Sequence, residues 1–249
     1  MGTMTDPTID LPVPDRALAV VAHPDDAEFN CGATLAKWSA AGAVVGLLLC
    51  SDGSKGTWDE QMTAAELIPR RQAEQRAAAD ALGLTGEIVF AGWVDGELEA
   101  DLDRRSAVAR TIRRLRPDIV LAHDPWQRWR LHPDHRAAGF LACDGIVGAR
   151  DPHFFPEHAV AHHRPATLLL FESDEPDHLE DVTGHGQAKI DALLAHESQF
   201  ETTMGIGDDR ARADDERAAF RDRILAELAD TGAPHGLAQA EAFKRIDDL

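Results

Sequence analysis

The 249-residue chain contains no tyrosine, so no phenol is available to any site as acid or hydrogen-bond donor. Its three cysteines, Cys31, Cys50 and Cys143, show no metal-type spacing. An odd count without a secretory signal reads as reduced thiols in a cytoplasmic protein. No apolar run approaches the length of a bilayer span. The opening MGTMTDPTIDLPVPDR lacks the basic and apolar regions of a signal peptide, so residues 1–15 are expected to form a flexible arm before one domain over 16–249. Positive charge is scarce: 25 Lys and Arg against 44 Asp and Glu give a formal net charge of −19. A binder of nucleic acid or anionic membrane needs the opposite balance, so neither partner is expected. A dinucleotide fingerprint is also missing, because HPDDAEFNCGA rather than GxGxxG follows the first apolar run.

What is present is an alternation of short apolar runs and helical periodicity. Strands are expected at Ala17–Val21, Val44–Cys50, Glu87–Phe90, Asp118–Ala122 and Thr167–Phe171. Helices are expected at Asn30–Ala41, with Asn30 as N-cap, and at Thr63–Leu82, where Pro69 is a candidate kink. Further helices are expected at Leu102–Leu115, Arg136–Val147, Ala188–His196, Arg210–Leu228 and Leu237–Ile246. This order predicts an α/β fold, a Rossmann-like, mostly parallel sheet flanked by helices in a single domain. Ligands bind such sheets beyond the carboxyl ends of the strands, where His23, Asp52 and His123 fall. Acidic helices such as Arg210–Leu228 either pair copies in a homo-oligomer or face water.

Two segments carry the chemistry. Ala22-His23-Pro24-Asp25-Asp26 follows the first strand, and His132-Pro133-Asp134-His135 comes over a hundred residues later. The proline after each leading histidine marks both as shaped loops rather than element interiors. His23, Asp26 and His135 supply two imidazoles and one carboxylate with room for water, a set suited to hydrolysis with Zn²⁺; Fe²⁺ accepts similar ligands. Asp25, beside a ligand, is the candidate general base. His132 is placed to sit across the site, to protonate a leaving group or to stabilise an oxyanion. His123 reads as a supporting residue or a rim histidine. His196 and Gln199 either line a pocket or form a surface pair, and the surface pair is the simpler reading.

These blocks, with what surrounds them, resemble the PIG-L/LmbE family of N-acetylglucosaminyl deacetylases. The likeness includes Ala22–Leu35, the loop Ser51–Gly56, Arg70 with Glu74, the turn Asp95–Leu98, Pro117–Val120, His123-Asp124-Pro125, Ala195–Gln199 and Glu241-Ala242-Phe243. It covers roughly residues 16 to 246. The resemblance implies a zinc-dependent amidase acting on a small glycoconjugate. By motif position His23, Asp26 and His135 hold the metal, Asp25 is the base, and His132 is the electrostatic partner or acid. Arg70 and Asp95 then hold substrate hydroxyls or a head group. Departures from the pattern are Ala27, Ala33 and Arg130, the last at a position where some members carry tyrosine. Trp126, Trp129 and Arg130 crowd one loop, and their aromatic faces are candidates for a substrate wall or for loop packing. An amidase for a larger acyl group and a non-catalytic, metal-holding sugar binder are the other readings.

Overall fold

The computed structural model describes residues 6–207, 209 and 212–249. Its centre is an eight-stranded sheet: β1 (Thr8–Ile9), β2 (Arg16–Val21), β3 (Val44–Ser51), β4 (Ile88–Trp93), β5 (Ile119–His123), β6 (Thr167–Phe171), β7 (His178–Asp181) and β8 (Ala240–Asp247). The order across the sheet is β1-β7-β8-β6-β5-β2-β3-β4. Only β8 runs antiparallel to its neighbours, β6 and β7. The central strands are apolar on both faces because both are covered. Ala17, Ala19 and Val21 of β2 pack into one core layer, while Leu18 and Val20 pack into the other.

The helices are α1 (Asp26–Ala40), α2 (Ala64–Ala81), α3 (Leu102–Leu115), α4 (Pro133–Arg150), α5 (Gly186–Leu194) and α6 (Ala213–Gly232). Helices α1, α2 and α5 cover the first core layer, and α3 and α4 the second. β2 lies between β3 and β5, so the chain leaves it in one direction and returns on the other side. That reversal opens a crevice beyond the carboxyl ends of β2 and β5.

Several sequence expectations are corrected. Leu237–Ile246, expected as a helix, is largely strand β8; its AEAFKRID slots between β6 and β7, and sheet pairing overrides a short helical pattern. β7 went unread because His178 and Glu180, both polar, are fully buried. Asn30 is not an N-cap: α1 begins at Asp26, and Asn30 Nδ2 donates to the Asp26 carbonyl. α4 begins at Pro133 rather than Arg136, with His132 as N-cap and proline at the helix start, where a missing N–H costs nothing. Asp134 and His135 therefore occupy a helical first turn, not a loop. α2 runs unbroken through Pro69. Within the expected arm, Thr8 and Ile9 pair with β7, and Leu11 N donates to the buried Glu180 carboxylate. The expected helix start Arg210 lies outside the described residues. Among the described residues no helix is long and apolar enough to cross a membrane.

α1 carries a break at Cys31, whose φ is −145°. The backbone groups freed there are held by one buried ion pair. Glu241 of β8 accepts from Ala33 N and Thr34 N, and Lys189 of α5 donates to the Phe29 carbonyl and, at 2.7 Å, to Glu241. The pair fixes the angle at which the first turn of α1, with Asp26, leaves the sheet.

Candidate active site

Each group at the crevice is set by the end of a strand or the start of a helix. His23 follows β2, Asp95 follows β4, His123 ends β5 and Glu172 follows β6. Asp25 turns the chain into α1 with a left-handed φ of 95°, which points adjacent carboxylates Asp25 and Asp26 into different surroundings. α4 brings His132 and His135 against the end of β5. That approach depends on Gly139, where a Cβ would lie 2.5 Å from the His123 carbonyl oxygen.

Asp26 is the hub. His23 N donates to its Oδ2 at 2.7 Å, and His23 Nδ1 lies 3.4 Å from the same oxygen. His123 Nε2 is 3.2 Å from Oδ2, and His135 Nε2 is 3.3 Å from Oδ1. Burial disfavours its charge, but His135 and His123 hold the carboxyl well below the ordinary range. His23 Nε2 also meets Asp95 at 3.1 Å and Asp134 at 3.2 Å. Burial would pull this imidazole down, yet Asp134, Asp26 and Asp95 together push it up to about 12. So many carboxylates around one imidazole call for a positive charge, and a proton answers that need when no other cation does.

Asp25 behaves oppositely. Burial pushes its carboxyl up to about 6, with Arg71 opposing and Asp26 reinforcing the shift. Its backbone N–H donates to Gln75 Oε1, and Arg71 Nη2 stands 3.5 Å from its Oδ2. Arg71 is pinned by the Pro24 and Gly53 carbonyls at 2.6 and 3.0 Å. Gly53 and Gly56 make room for it, since a Cβ at either would meet Nη1 at 2.8 or 2.2 Å. Behind Asp25, Gln75 Nε2 donates to Glu28, and Glu28 Oε2 lies 3.6 Å from His196 Nε2, both side chains fully buried.

His132 accepts from Asp134 N through Nδ1, which leaves Nε2–H as its donor. Partial burial, His23 and His135 hold its pKa below the usual imidazole value. That shift favours the neutral ring, with Nε2–H as its donor. Arg130 donates to His135 Nδ1 at 2.6 Å and to Glu172 at 2.5 Å. Having no acceptor of its own, it occupies Nδ1 and leaves Nε2 as the His135 nitrogen that faces Asp26, at 3.3 Å from Oδ1.

His23, Asp26 and His135 offer ligand atoms within 4.8 Å of one another. Two overlapping groups among the described residues, His23/His132/Asp134 and His123/His135/Glu172, meet the same distance. In the first of these, Asp134 is committed to Gly96 N and Leu98 N; in the second, Glu172 is committed to Arg130 and His123. Of the three, the His23/Asp26/His135 set is the one whose members all line the main cavity. Its donors fit a divalent ion of the Zn²⁺ type, which takes nitrogen and oxygen ligands.

The cavity measures about 720 Å³ and holds His23, Asp25, Asp26, Asp95, His132 and His135 at one end. Arg70 is not part of it: the side chain is exposed and pairs with Glu74 at 3.0 Å. Arg71, one residue on, lines the cavity instead. Trp126 is exposed, packs edge-on against Phe140 and lines a separate, smaller hollow of about 310 Å³. Arg130 acts on His135 from behind. His196 is buried rather than a surface residue, and Gln199 lines the cavity and holds the Gly56 carbonyl. Arg71, Gln75, Glu28, Asp134 and Glu172 were not singled out from sequence.

The family model described as "PIG-L: GlcNAc-PI de-N-acetylase" matches residues 18–145. The chain is 34% identical over 188 residues to a diacetylchitobiose deacetylase from Thermococcus kodakarensis, covering 74% of this chain and 70% of that protein. It is 34% identical over 170 residues to a 1D-myo-inositol 2-acetamido-2-deoxy-alpha-D-glucopyranoside deacetylase from Streptomyces avermitilis, covering 58% of each. Among solved structures, an N,N'-diacetylchitobiose deacetylase from Pyrococcus horikoshii superposes with a TM-score of 0.83 at 27% identity, covering 94% of this chain and 84% of the other. A 4-carboxy-2-hydroxymuconate hydratase from Pseudomonas putida shares the fold at a TM-score of 0.74 and 22% identity, covering 94% and 97%. The fold thus hosts more than one chemistry, and the site must decide between them.

Proposed function

Because the chain belongs to the PIG-L family, we propose that it hydrolyses the N-acetyl amide of an N-acetylglucosaminyl conjugate, with Zn²⁺ held by His23, Asp26 and His135. The observation that carries this reading is the opposed pair Asp25 and Asp26. One carboxylate is locked in its charged form among imidazoles, and its neighbour, in the same cavity, is poised near neutrality. Ligand and base need those two states. Bound at this set, Zn²⁺ supplies acidification of a water molecule and polarisation of the amide carbonyl.

The residues do the rest. Asp25 takes a proton from the attacking water, whose oxygen bonds to the carbonyl carbon. His132 directs Nε2–H at the oxygen that gains charge, a role that needs a donor rather than a full cation. With no tyrosine in the chain, this imidazole stands where a phenol is unavailable. The C–N bond then breaks as the proton held by Asp25 passes to the departing amine, and the water's second proton moves from the new carboxyl group to that amine, leaving acetate and the amino sugar as its ammonium form. Arg71 keeps Asp25 in place through two backbone carbonyls, and Asp95 steadies His23.

The test is release of free amine from a panel of N-acetylglucosamine conjugates by Zn²⁺-loaded protein, with metal-loaded Asp25→Ala as blank. Release by the wild type alone supports the reading. No release from protein that carries its metal removes the N-acetyl sugar as substrate and favours a larger acyl group.

A further inference from the structure

The cavity extends well past the groups that do chemistry. Its outer part is walled by Phe29 and Asn30 of α1, Trp58 of the loop after β3, Thr202 and Thr203, and Glu227 of α6. The last three lie beyond residues 18–145, the stretch matched by the family model, whereas Phe29, Asn30 and Trp58 lie within it. α6 is seated over the cavity by apolar packing, with Phe220 edge-on to Phe29 at 6.4 Å.

The wall has a definite chemistry. Trp58 is 67% exposed and offers an aromatic face at the cavity mouth. Asn30 gives one N–H of its Nδ2 to the Asp26 carbonyl, which leaves its Oδ1 as an acceptor and one N–H as a donor. Thr202 and Thr203 donate their hydroxyl hydrogens to Gln199, which leaves them accepting. Among the described residues no cation pairs with the Glu227 carboxylate. The lysine and the arginine that line the cavity are both engaged: Lys55 with Glu97 at 3.0 Å, and Arg71 with the Pro24 and Gly53 carbonyls. Against them stand the carboxylates of Asp25, Asp26, Asp95, Glu172 and Glu227. Sugar hydroxyls and ammonium groups donate to such a wall, whereas a phosphate brings only acceptors and more negative charge.

We propose that Trp58 and Glu227 select the substrate by the charge of its second unit: the outer cavity takes an uncharged or cationic sugar or polyol joined to the N-acetylated ring and excludes an anionic one. The indole stacks on that second ring, and Glu227 accepts from its hydroxyl or ammonium groups. This inference rests on the proposed deacetylation for its reaction, but not for its binding.

The test compares N-acetylglucosaminyl inositol with the same compound phosphorylated on the inositol. The phosphorylated form is expected to show kcat/KM at least about fivefold lower in Zn²⁺-loaded protein, the effect of one close like-charge pair near water. Glu227→Lys is expected to erase or reverse that ratio. Trp58→Ala is expected to raise KM for the neutral conjugate more than it lowers kcat. Equal kcat/KM for the two conjugates in the wild type, or a ratio unmoved by Glu227→Lys, overturns the proposal. Binding of both compounds, read by tryptophan fluorescence, decides the matter if neither is hydrolysed. Tighter binding of the neutral conjugate, reversed by Glu227→Lys, upholds the selection while the deacetylase reading falls. Equal binding, or none of either, overturns the selection itself.

Discussion

At the floor of the cavity His23, Asp26, His123 and His135 touch one another, and all but part of His135 is buried. At its mouth Trp58 and Glu227 are exposed and unpaired by any opposite charge among the described residues. The floor is built from strand ends and helix starts of the parallel sheet, so its side chains inherit the rigidity of the backbone. The mouth is built from a loop and from α6, which packs through Phe220, Ile224 and Leu228 and leaves Glu227 exposed. The contrast separates two tasks: the buried part holds charge for chemistry, and the exposed part chooses what the chemistry is applied to.

Substitutions at the floor should therefore cost far more than those at the mouth. Asp26→Ala is expected to have the largest effect, because it removes a ligand and unpairs three imidazoles at once. Metal content, measured by atomic emission, should fall from about one ion per chain to near zero, with amine release lost. Asp25→Asn should keep the ion and lower kcat by ~10²–10⁴-fold, the usual contribution of a general base. If it stripped the metal as well, the division of labour between the two carboxylates would be wrong. Lys189→Met breaks the buried pair at the α1 kink and should cost about 3–5 kcal/mol in a urea melt. A loss confined to a few tenths would mean that Glu241, with Ala33 N and Thr34 N, holds the kink unaided. His123→Ala should weaken metal affinity by ~10–100-fold without abolishing it, as loss of a hydrogen bond to a ligating carboxylate does. An effect as large as that of Asp26→Ala would make His123 a ligand in its own right.

Much of the floor was legible in the sequence because it obeys the strongest local signals. Fully buried parallel strands read as apolar runs, and Thr167–Phe171 and Leu102–Leu115 match the observed elements residue for residue. Motif spacing then places His23, Asp25, Asp26, His132 and His135 in one cavity, as found. What sequence reading missed has physical reasons. Arg70 and Arg71 differ by about 100° around α2, so one faces water and the other the cavity. The buried series Leu67, Arg71, Gln75 and Ala79 marks the inner face, and its i, i+4 spacing was the available clue. His178, Glu180, Glu28 and His196 are polar side chains in full burial. Polarity argues for the surface unless the partners, distant in sequence, are known. Strand β8 owes its form to the gap between β6 and β7, which no local pattern announces.

The most direct test of the account is the position of the metal itself. Crystals of the Zn²⁺-loaded protein, with anomalous differences collected across the zinc edge, should show one peak bounded by His23, Asp26 and His135, with Asp25 beside it and not bonded to the ion. A peak bounded by His123, His135 and Glu172, or one with Asp25 as a direct ligand, would contradict the assignment of the two carboxylates on which the proposed reaction depends.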